Sequence, residues 1–516
     1  MKTRLLSLLL LSLLLGVSSN SLMGQQQTAP PLPLAGPNRP IGVPADYVIT
    51  PFGYFHPSCV LQLKKGESFQ DGGVLRHADS STEQVAPCPY PHYKPSGELA
   101  VAGSLDAHKT AATQETDTTS KPAINGWVEN SNTSIATAYG QVVSTFTVPP
   151  LPLAQDAQVL FLFPGLESLN PQPSETILQP VLGYIYGAPW SFTSWNCCPS
   201  NITAASPGID VNPGDTLVGT IEMTCAAGTL TCPTWNVISE DQTTNQSTEL
   251  SGTPNAGNTF NWGFGGVLEA YSIVQCADYP NNASLTINTL LYDNNLSLVP
   301  SPDWTGYLNT ASEGVPHCAY AVNTTATNTT LTYGTTGPNF YLTPRPAGIS
   351  VNQGGSNTWT FNVNPINGFS GPVSFSASNL PTGVSAEYAQ GNSPNSYTLT
   401  LSATSAASLT GANQPPAMAI VGSASGVPTQ TFAVNVYVNP PQTGGSGTLV
   451  DLSSAYDVYA FYDDADQSDI TSANSLNNAG DVFSANQLSP PGTPPMGLNL
   501  NGTQFTFGPP NQPDSV

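Results

Sequence analysis

Hydrophobic and polar residues alternate along much of the chain in short runs that end at Gly, Pro, Asn or Asp. Between residues 122 and 334 such runs include QVVSTFTVP, AQVLFLFPGL, ETILQPVLGYIYG, DTLVGTIEMT and ASLTINTLLYD. A period of two residues places alternate side chains on opposite faces of a strand, and few stretches show the longer period of a helix. The pattern therefore predicts an all-β fold, with a two-sheet antiparallel β-sandwich over residues 122–334.

A second series of alternating runs follows between residues 335 and 440, including NTWTFNV and TFAVNVYVNPP. This series resembles the immunoglobulin-like modules appended to secreted bacterial enzymes, and it predicts a smaller Ig-like β-sandwich. Residues 441–516 are predicted to form a flexible linker, containing QTGGSGT, and a partial, truncated β module. Both C-terminal modules are expected to be accessory and to serve attachment to a cell surface or a polymer.

Residues 1–24 predict a secretory signal peptide. Lys2 and Arg4 precede an apolar run from Leu5 to Val17 that is too short for a membrane anchor, and small residues follow it. No later stretch is apolar enough to span a bilayer. The sequence therefore predicts a secreted, extracellular protein without a membrane partner.

Residues 25–121 differ in composition from the rest of the chain. They begin with a Pro-rich leader, contain four of the five histidines, and end in the polar stretch TAATQETDTTSKPA, which predicts an unstructured linker. A piece tethered in this way is typical of an inhibitory prosegment, so we predict a zymogen that is cleaved between Thr110 and Lys121. A small independent N-terminal domain is the alternative.

Charge is distributed very unevenly. The chain has 10 Lys and Arg against 33 Asp and Glu, and residues 122–334 contain 15 acidic residues but no Lys or Arg. This composition argues against a nucleic-acid partner, whose phosphates need cations. It favours an acidic working environment, although solubility alone would also explain it. Seven of the ten cations lie between residues 39 and 121, so the prosegment is expected to be held partly by charge and loosened when carboxylates protonate in acid.

The eight cysteines predict disulfides in a secreted chain. The adjacent Cys197 and Cys198 either bridge each other or rearrange the pairing. The cysteines lack the paired spacing of zinc ligands, so neither a metal nor a cofactor is expected. The other pairs that the spacing favours are Cys59–Cys88, Cys225–Cys232 and Cys276–Cys318.

Several stretches of the central domain occur in the order found in the eqolisin, or glutamic peptidase, family. They are INGWVEN, FPGLES, ETILQPVL, PWSFTSW, GIDVNPGDTLVGTIE and NWGFGGVLEAYSIVQC, which lie within residues 125–290. The chain resembles a secreted bacterial member of this family. The resemblance implies a concanavalin-like or jelly-roll-like sandwich and a pepstatin-insensitive acid endopeptidase that is made with a prosegment.

Carried over position by position, the resemblance assigns the catalytic glutamine to Gln179 and the catalytic glutamate to Glu269. Substrate-binding positions are Phe163, where the family has a tryptophan, and Glu167, where it has an aspartate. The aromatic segment contributes Trp190 and Trp195. A carboxylate can take a proton from water and return it to the leaving amine, while a glutamine N–H can donate to the oxyanion. The expected partners are protein or peptide substrates and the chain's own prosegment as inhibitor.

Other functions fit parts of the pattern. Taken singly, Gln179 could be a structural strand amide and Glu269 a solvent-facing residue. The same fold serves non-catalytic carbohydrate-binding or adhesive proteins, in which Trp190 or Trp262 would stack on sugar rings. A glycosidase would use Glu167 and Glu269, but sandwich glucanases usually place their carboxylates on one strand a few residues apart. A two-glutamate neprosin-like peptidase would need a glutamate at position 179.

Overall fold

The computed structural model describes residues 32–36, 39–40, 42–100, 124–170, 176–308, 316, 318–346, 348–410 and 417–441, and three short strands between residues 483 and 506. The predicted signal peptide, the predicted cleavage region between Thr110 and Lys121, and most of the predicted C-terminal module lie outside the described residues. Among the described residues, no helix has the length and apolar character needed to cross a lipid bilayer.

The described chain is almost entirely β-structure, which confirms the predicted all-β class. Short 3-10 helices occur at Pro57–Cys59, Asp71–Gly73, Pro199–Asn201 and Cys276–Asp278. The strands are β1 (Val48–Thr50), β2 (Gly53–Phe55), β3 (Val60–Gln62), β4 (Ser68–Gln70), β5 (Val74–Arg76), β6 (Thr82–Gln84), β7 (Ile124–Ser134), β8 (Tyr139–Thr147), β9 (Val159–Glu167), β10 (Ile177–Ile185), β11 (Trp190–Cys197), β12 (Thr203–Ala205), β13 (Ile209–Val211), β14 (Thr216–Met223), β15 (Thr234–Asp241), β16 (Gln246–Pro254), β17 (Trp262–Ile273), β18 (Ser284–Asp293), β19 (Thr305–Leu308), β20 (Tyr320–Thr324), β21 (Asn328–Tyr333), β22 (Asn339–Thr343), β23 (Gly348–Asn352), β24 (Ser356–Ile366), β25 (Ser374–Ser378), β26 (Val384–Gln390), β27 (Ser396–Ala403), β28 (Ala417–Ser423), β29 (Gln430–Asn439), β30 (Phe483–Ala485), β31 (Gly497–Leu500) and β32 (Thr503–Thr506).

Two sheets form the central sandwich. The larger has the order β19-β7-β17-β9-β10-β11-β12-β3, with β13 beside β11, and the smaller has the order β16-β15-β14-β8-β18-β21-β20. Even-numbered side chains of β9 and β10, such as Leu160, Leu162 and Leu182, belong to an apolar cluster that also contains Leu217 and Ile287 of the smaller sheet. Burial of these side chains holds the two sheets together.

The larger sheet is buried on both faces, whereas the smaller sheet is buried on one. Strands β14 and β15 alternate between buried and half-buried residues, as expected when one face packs on the core and the other meets water. Strands β9 and β17 are buried at every position. A sheet that is buried on both faces must be covered on its outer side as well.

The outer layer is the N-terminal part of the chain, residues 32–100, which we call the cover segment. Its β1–β2 hairpin and its three-stranded sheet β4-β5-β6 are separate small elements, whereas β3 joins the larger sheet in parallel with β12. Phe161, Phe163 and Val181 of the larger sheet form one cluster with Tyr54 and Phe55 of the cover segment. We call this side of the larger sheet the covered face.

A second, smaller sandwich follows the central one, as predicted. It consists of two four-stranded sheets, β22-β24-β27-β26 and β23-β29-β28-β25, around their own apolar core. It docks directly on the central sandwich. The Gln275 side chain exchanges two hydrogen bonds with the backbone of Leu342, and the Ala433 N–H donates to the Val274 carbonyl oxygen.

The three cysteine pairs that the spacing favours are present as disulfides. Cys197 and Cys198, for which the sequence left two alternatives, bridge each other. The Cys59–Cys88 bridge joins two residues of the cover segment to each other, and the Cys276–Cys318 bridge lies within the central domain. Four disulfides are compatible with an extracellular protein.

Candidate active site

Gln179 lies on the covered face, in the middle of β10. Its neighbours at alternate positions, Ile177 and Val181, belong to the cluster on this face. The side chain is fully buried, and neither amide atom has a hydrogen-bond partner among the residues that the structure describes. A buried amide without partners is costly to the fold. This glutamine therefore does not fit the structural role of a strand amide bonded to a neighbour.

The neighbouring strand has no side chain opposite Gln179. The register of β9 and β10, in which Leu178 pairs with Leu166, places Gln179 opposite Gly165. A Cβ atom on Gly165 would lie 3.5 Å from the Gln179 Cγ atom and 3.5 Å from the Phe264 Cδ2 atom. Because residue 165 is glycine, no side chain rises from β9 between Gln179 and Phe264.

Glu269 lies on the same face, in β17, and is fully buried. Its Oε1 atom accepts a hydrogen bond of 2.5 Å from the Tyr271 hydroxyl. Burial raises the pKa of Glu269 to about 8, and hydrogen bonds from Tyr271 and Trp127 oppose the shift. This carboxyl is therefore protonated at acid and neutral pH while the cover segment is in place.

The strand register separates Gln179 from Glu269. Glu269 pairs with Phe161 of β9, and Phe161 pairs with Gly183 of β10, so Glu269 is level with a position four residues beyond Gln179. At about 3.3 Å per residue this offset is roughly 13 Å along the strands, and β9 lies between the two strands. The two residues share a face, but the structure does not bring them together as a facing pair.

Glu167 lies closer to Gln179. It follows Gly165 by two residues on β9, so its side chain is on the same face and diagonal to Gln179, at a spacing within reach of long side chains. It pairs with Trp262 of β17, and it is 1% exposed. The glutamine thus has one buried glutamate as a diagonal neighbour and another further along the face.

The aromatic positions named from the sequence separate into two groups. Trp195 pairs directly with Gln179, and Phe163 lies between the levels of Gln179 and Glu269; both belong to the cluster on the covered face. Trp190 is fully buried in the core between the two sheets, with its ring centroid 5.3 Å from that of Tyr184. The structure therefore does not bring Trp190 to the candidate site.

The cover segment rests on these residues. Its Thr50 carbonyl oxygen lies 3.2 Å from the Tyr271 hydroxyl, and the Tyr54 ring meets the Tyr271 ring edge to face with centroids 5.4 Å apart. Phe52, at the hairpin tip, makes an edge-to-face contact of 6.2 Å with Trp195. Tyr271 was not among the site residues predicted from the sequence, although its position two residues after Glu269 in a strand places both side chains on a common face.

Apolar contacts dominate the described interface between the cover segment and the central domain. The cluster on the covered face joins Val43, Tyr47, Ile49 and other cover residues to the central domain. In contrast, the ion pairs His77–Glu67 and Lys94–Glu98 lie within the segment itself. We predicted that the segment is held partly by charge. These ion pairs join residues of the segment to each other, whereas the surface that contacts the central domain is aromatic and aliphatic.

Comparison with known proteins gives a distant structural relationship. No protein-family model matches the chain, and no curated protein matches it. Similar solved structures include Scytalido-glutamic peptidase with a peptide-based transition-state analog (13% identity, TM-score 0.29) and SCP-B, a member of the eqolisin family of peptidases, in complex with the tripeptide Ala-Ile-His (13% identity, TM-score 0.29). Each alignment covers 41% of this chain and 99% of the other.

Another similar structure is that of surface layer protein SbsC, domains 1–6, with 10% identity and a TM-score of 0.17 over 73% of this chain and 65% of that chain. At such low identities and TM-scores, none of these likenesses establishes a function.

Proposed function

We propose that this chain is the precursor of a secreted acid endopeptidase whose reaction centre lies at Gln179. The observation that carries the proposal is the buried Gln179 amide, which has no hydrogen-bond partner among the described residues and stands opposite Gly165, a position without a side chain. A buried amide that is kept without a partner at a cost to the fold is suited to a ligand. A peptide carbonyl oxygen is a ligand that its N–H can bind.

The chemistry assigns the glutamine as donor and a glutamate as base. Gln179 Nε2–H donates to the carbonyl oxygen of the scissile peptide bond and stabilises the negative charge that develops there. The carboxylate takes a proton from water as the water oxygen attacks the carbonyl carbon. The same carboxyl then gives the proton to the amide nitrogen as the C–N bond breaks, which leaves a carboxyl and an amine.

We assign the base to Glu167, in place of the Glu269 that the sequence resemblance indicates. The support for this change is the register, because Glu167 is diagonal to Gln179 whereas Glu269 is offset by four residues. A water must touch both the base and a carbonyl held by Gln179, which requires groups within a few ångströms of each other. Glu269 remains a second acidic group on the same face, suited to contacts with the more distant part of a bound peptide.

The cover segment supports the second part of the proposal, that the chain is made as an inactive precursor. Its hairpin lies over the face that holds Gln179, Glu167 and Glu269, so a substrate cannot reach them while it is in place. Its described disulfide, Cys59–Cys88, is internal, so cleavage of the chain between residues 100 and 124 would free it from the catalytic part.

The decisive test is proteolysis by the purified secreted chain after acid treatment. A denatured protein substrate is incubated at pH values from about 2 to 7 with pepstatin present, and new termini are identified by mass spectrometry. We expect hydrolysis in acid that depends on loss of the N-terminal segment. Absence of hydrolysis at every pH by the processed chain would overturn the proposal and favour a non-catalytic carbohydrate-binding or adhesive protein.

A further inference from the structure

The tip of the β1–β2 hairpin is a tightly built turn. Thr50 pairs with Gly53, and the Thr50 hydroxyl donates to the Gly53 carbonyl oxygen and accepts from the Phe52 N–H. Gly53 has a φ of 105°, and a Cβ atom there would lie 2.1 Å from the Tyr93 carbonyl oxygen. Only glycine fits this position. The turn therefore holds the backbone of Pro51 and Phe52 in one conformation.

This turn lies over the part of the covered face that joins the two ends of the candidate site. At one end Thr50 contacts Tyr271, which hydrogen-bonds Glu269. At the other end Phe52 contacts Trp195, which pairs directly with Gln179. A length of polypeptide thus already runs along the face between the level of Glu269 and the level of Gln179.

The Phe52 ring meets Trp195 with an interplanar angle of 69°. This edge-to-face geometry is one of the two arrangements that aromatic pairs prefer. Phe52 is only half-buried, although it packs against the cluster on the covered face, whereas Trp195 is 5% exposed beneath it. Removal of the cover segment would leave Trp195 as an apolar surface beside a polar amide, a combination typical of a ligand site.

We infer that the surface of Trp195 now contacted by Phe52 is a side-chain subsite for an aromatic residue of a peptide substrate, and that the hairpin tip is its built-in occupant. This inference rests on the proposed peptidase function. Because Trp195 is the direct cross-strand neighbour of Gln179, an aromatic side chain on it comes from a residue at or next to the scissile bond. The preferred substrates are therefore peptides with Phe, Tyr or Trp at that place.

The test uses the full chain with a site-specific cleavage sequence inserted between residues 110 and 121, cut and freed of its N-terminal part. Two sets of fluorogenic peptides, identical except for one position that is Phe or Ala, are compared for kcat/KM and, in parallel, for binding by calorimetry. The variants are Trp195→Ala, the conservative Trp195→Phe, and Tyr186→Ala as a control at an exposed aromatic residue. We expect at least a tenfold preference for Phe that falls below threefold in Trp195→Ala and persists in the other two.

The outcomes separate the inference from the function on which it rests. Hydrolysis without an aromatic preference, or with a preference that Trp195→Ala leaves unchanged, would overturn the subsite and leave the peptidase proposal standing. Tighter binding of the Phe peptide without hydrolysis would support the subsite and overturn the peptidase. Equal, weak binding without hydrolysis would overturn both.

A second measurement covers the case in which Trp195→Ala does not fold. A cyclic peptide with the sequence Val48–Phe55 is added to the wild-type cut chain, in a version that keeps Phe52 and in one with Phe52→Ala. We expect the Phe version to bind, and to inhibit any hydrolysis, at least tenfold more strongly. Equal binding of the two peptides would overturn the subsite.

Discussion

The Tyr271 hydroxyl lies 2.5 Å from Glu269 Oε1 and 3.2 Å from the Thr50 carbonyl oxygen. One side chain of the central domain therefore contacts both a buried carboxyl of the candidate site and the backbone of the segment that covers it. Burial and the nearby Glu269 carboxyl raise the pKa of Tyr271, so its hydroxyl remains a donor at any pH at which the protein would work.

The first prediction concerns this contact. Tyr271→Phe in the uncut chain should lower the free energy of unfolding by about 1–3 kcal/mol, because it removes the hydroxyl that donates to the buried Glu269 Oε1 atom. It should also raise the pKa of Glu269 further, since the Tyr271 hydrogen bond lowers it. Chemical denaturation and a carboxyl titration measure the two effects. Tyr186→Phe, at an exposed tyrosine, should change neither, and an unchanged stability in Tyr271→Phe would contradict the hydrogen bond.

The second prediction concerns the residues assigned to the reaction. Gln179→Ala in the cut chain should lower kcat by about 10²–10³, the usual cost of losing one oxyanion donor. Glu167→Gln should be at least as damaging, because an amide cannot accept a proton from water, whereas Glu269→Gln should keep much of kcat and mainly raise KM. We would measure kcat and KM for proteolysis in acid with each variant and check its folding by circular dichroism. Loss of kcat in Glu269→Gln with a nearly unaffected Glu167→Gln would return the base to Glu269.

The third prediction is a pH dependence set by Glu269. Its pKa is raised from 4.5 to about 8 by burial, so the unfolded chain releases a proton over this range that the folded chain retains. The contribution of Glu269 to stability is therefore fully present below about pH 4.5 and is lost as the pH rises toward 8, by an amount on the order of a few kcal/mol. Glu269→Gln should flatten this part of the profile measured by denaturation of the uncut chain. An identical profile in the variant would refute the assignment.

The fourth prediction is a pH dependence of stability set by His92, opposite in direction to that of Glu269. His92 stacks on Phe55 with centroids 4.6 Å apart, and burial lowers its pKa from 6.5 to about 4. The unfolded chain binds a proton between these values and the folded chain does not, so stability present above pH 6.5 is lost as the pH falls toward 4, by roughly 1–3 kcal/mol. His92→Phe should remove this loss. His77→Gln is the matched control, because Glu67 raises the pKa of His77 and its acid dependence runs the other way.

The opposite pH dependences of Glu269 and His92 change the expected way in which acid releases the cover segment. The sequence-based hypothesis was that protonation of carboxylates in acid loosens the cover segment, whereas the buried Glu269 makes the closed form more stable in acid. His92 is an acid-sensitive group of the cover segment that lies at its contact with Phe55, since a charge there would be buried against an aromatic ring. Comparing the uncut wild type with His92→Phe for release of the segment in acid distinguishes the two causes.

The fifth prediction concerns the docking of the Ig-like module. Gln275→Ala removes both hydrogen bonds to the Leu342 backbone and should cost about 1–3 kcal/mol, because those backbone groups stay buried. It should also split a single thermal transition into two, since the central and Ig-like sandwiches have separate cores. Calorimetry measures both effects, with Gln246→Ala at an exposed strand position as the control. A single transition at the wild-type temperature would show that the contact is not a stabilising one.

Strand patterning predicted much of the fold from the sequence alone. Alternation marks β14 and β15 because each has one face toward the core and one toward water, and a period of two is visible in a single sequence. Three of the four disulfides followed from proximity along the chain, and Gln179 was named because the stretch ETILQPVL resembles the eqolisin segment that holds the catalytic glutamine. These features depend on residues that are close in sequence.

The relative positions of the site residues were decided only by the tertiary structure. Which glutamate lies beside Gln179 depends on the registers of β17 with β9 and of β9 with β10, and these pairings join residues far apart in sequence. The continuous burial of β9 and β17 could not reveal what covers them, because an apolar run has the same appearance under a sheet, a helix or a hairpin. The placement of Phe52 on Trp195 and of Thr50 on Tyr271 required the folded chain, since hydrophobic contact is non-directional and selects its partners through shape.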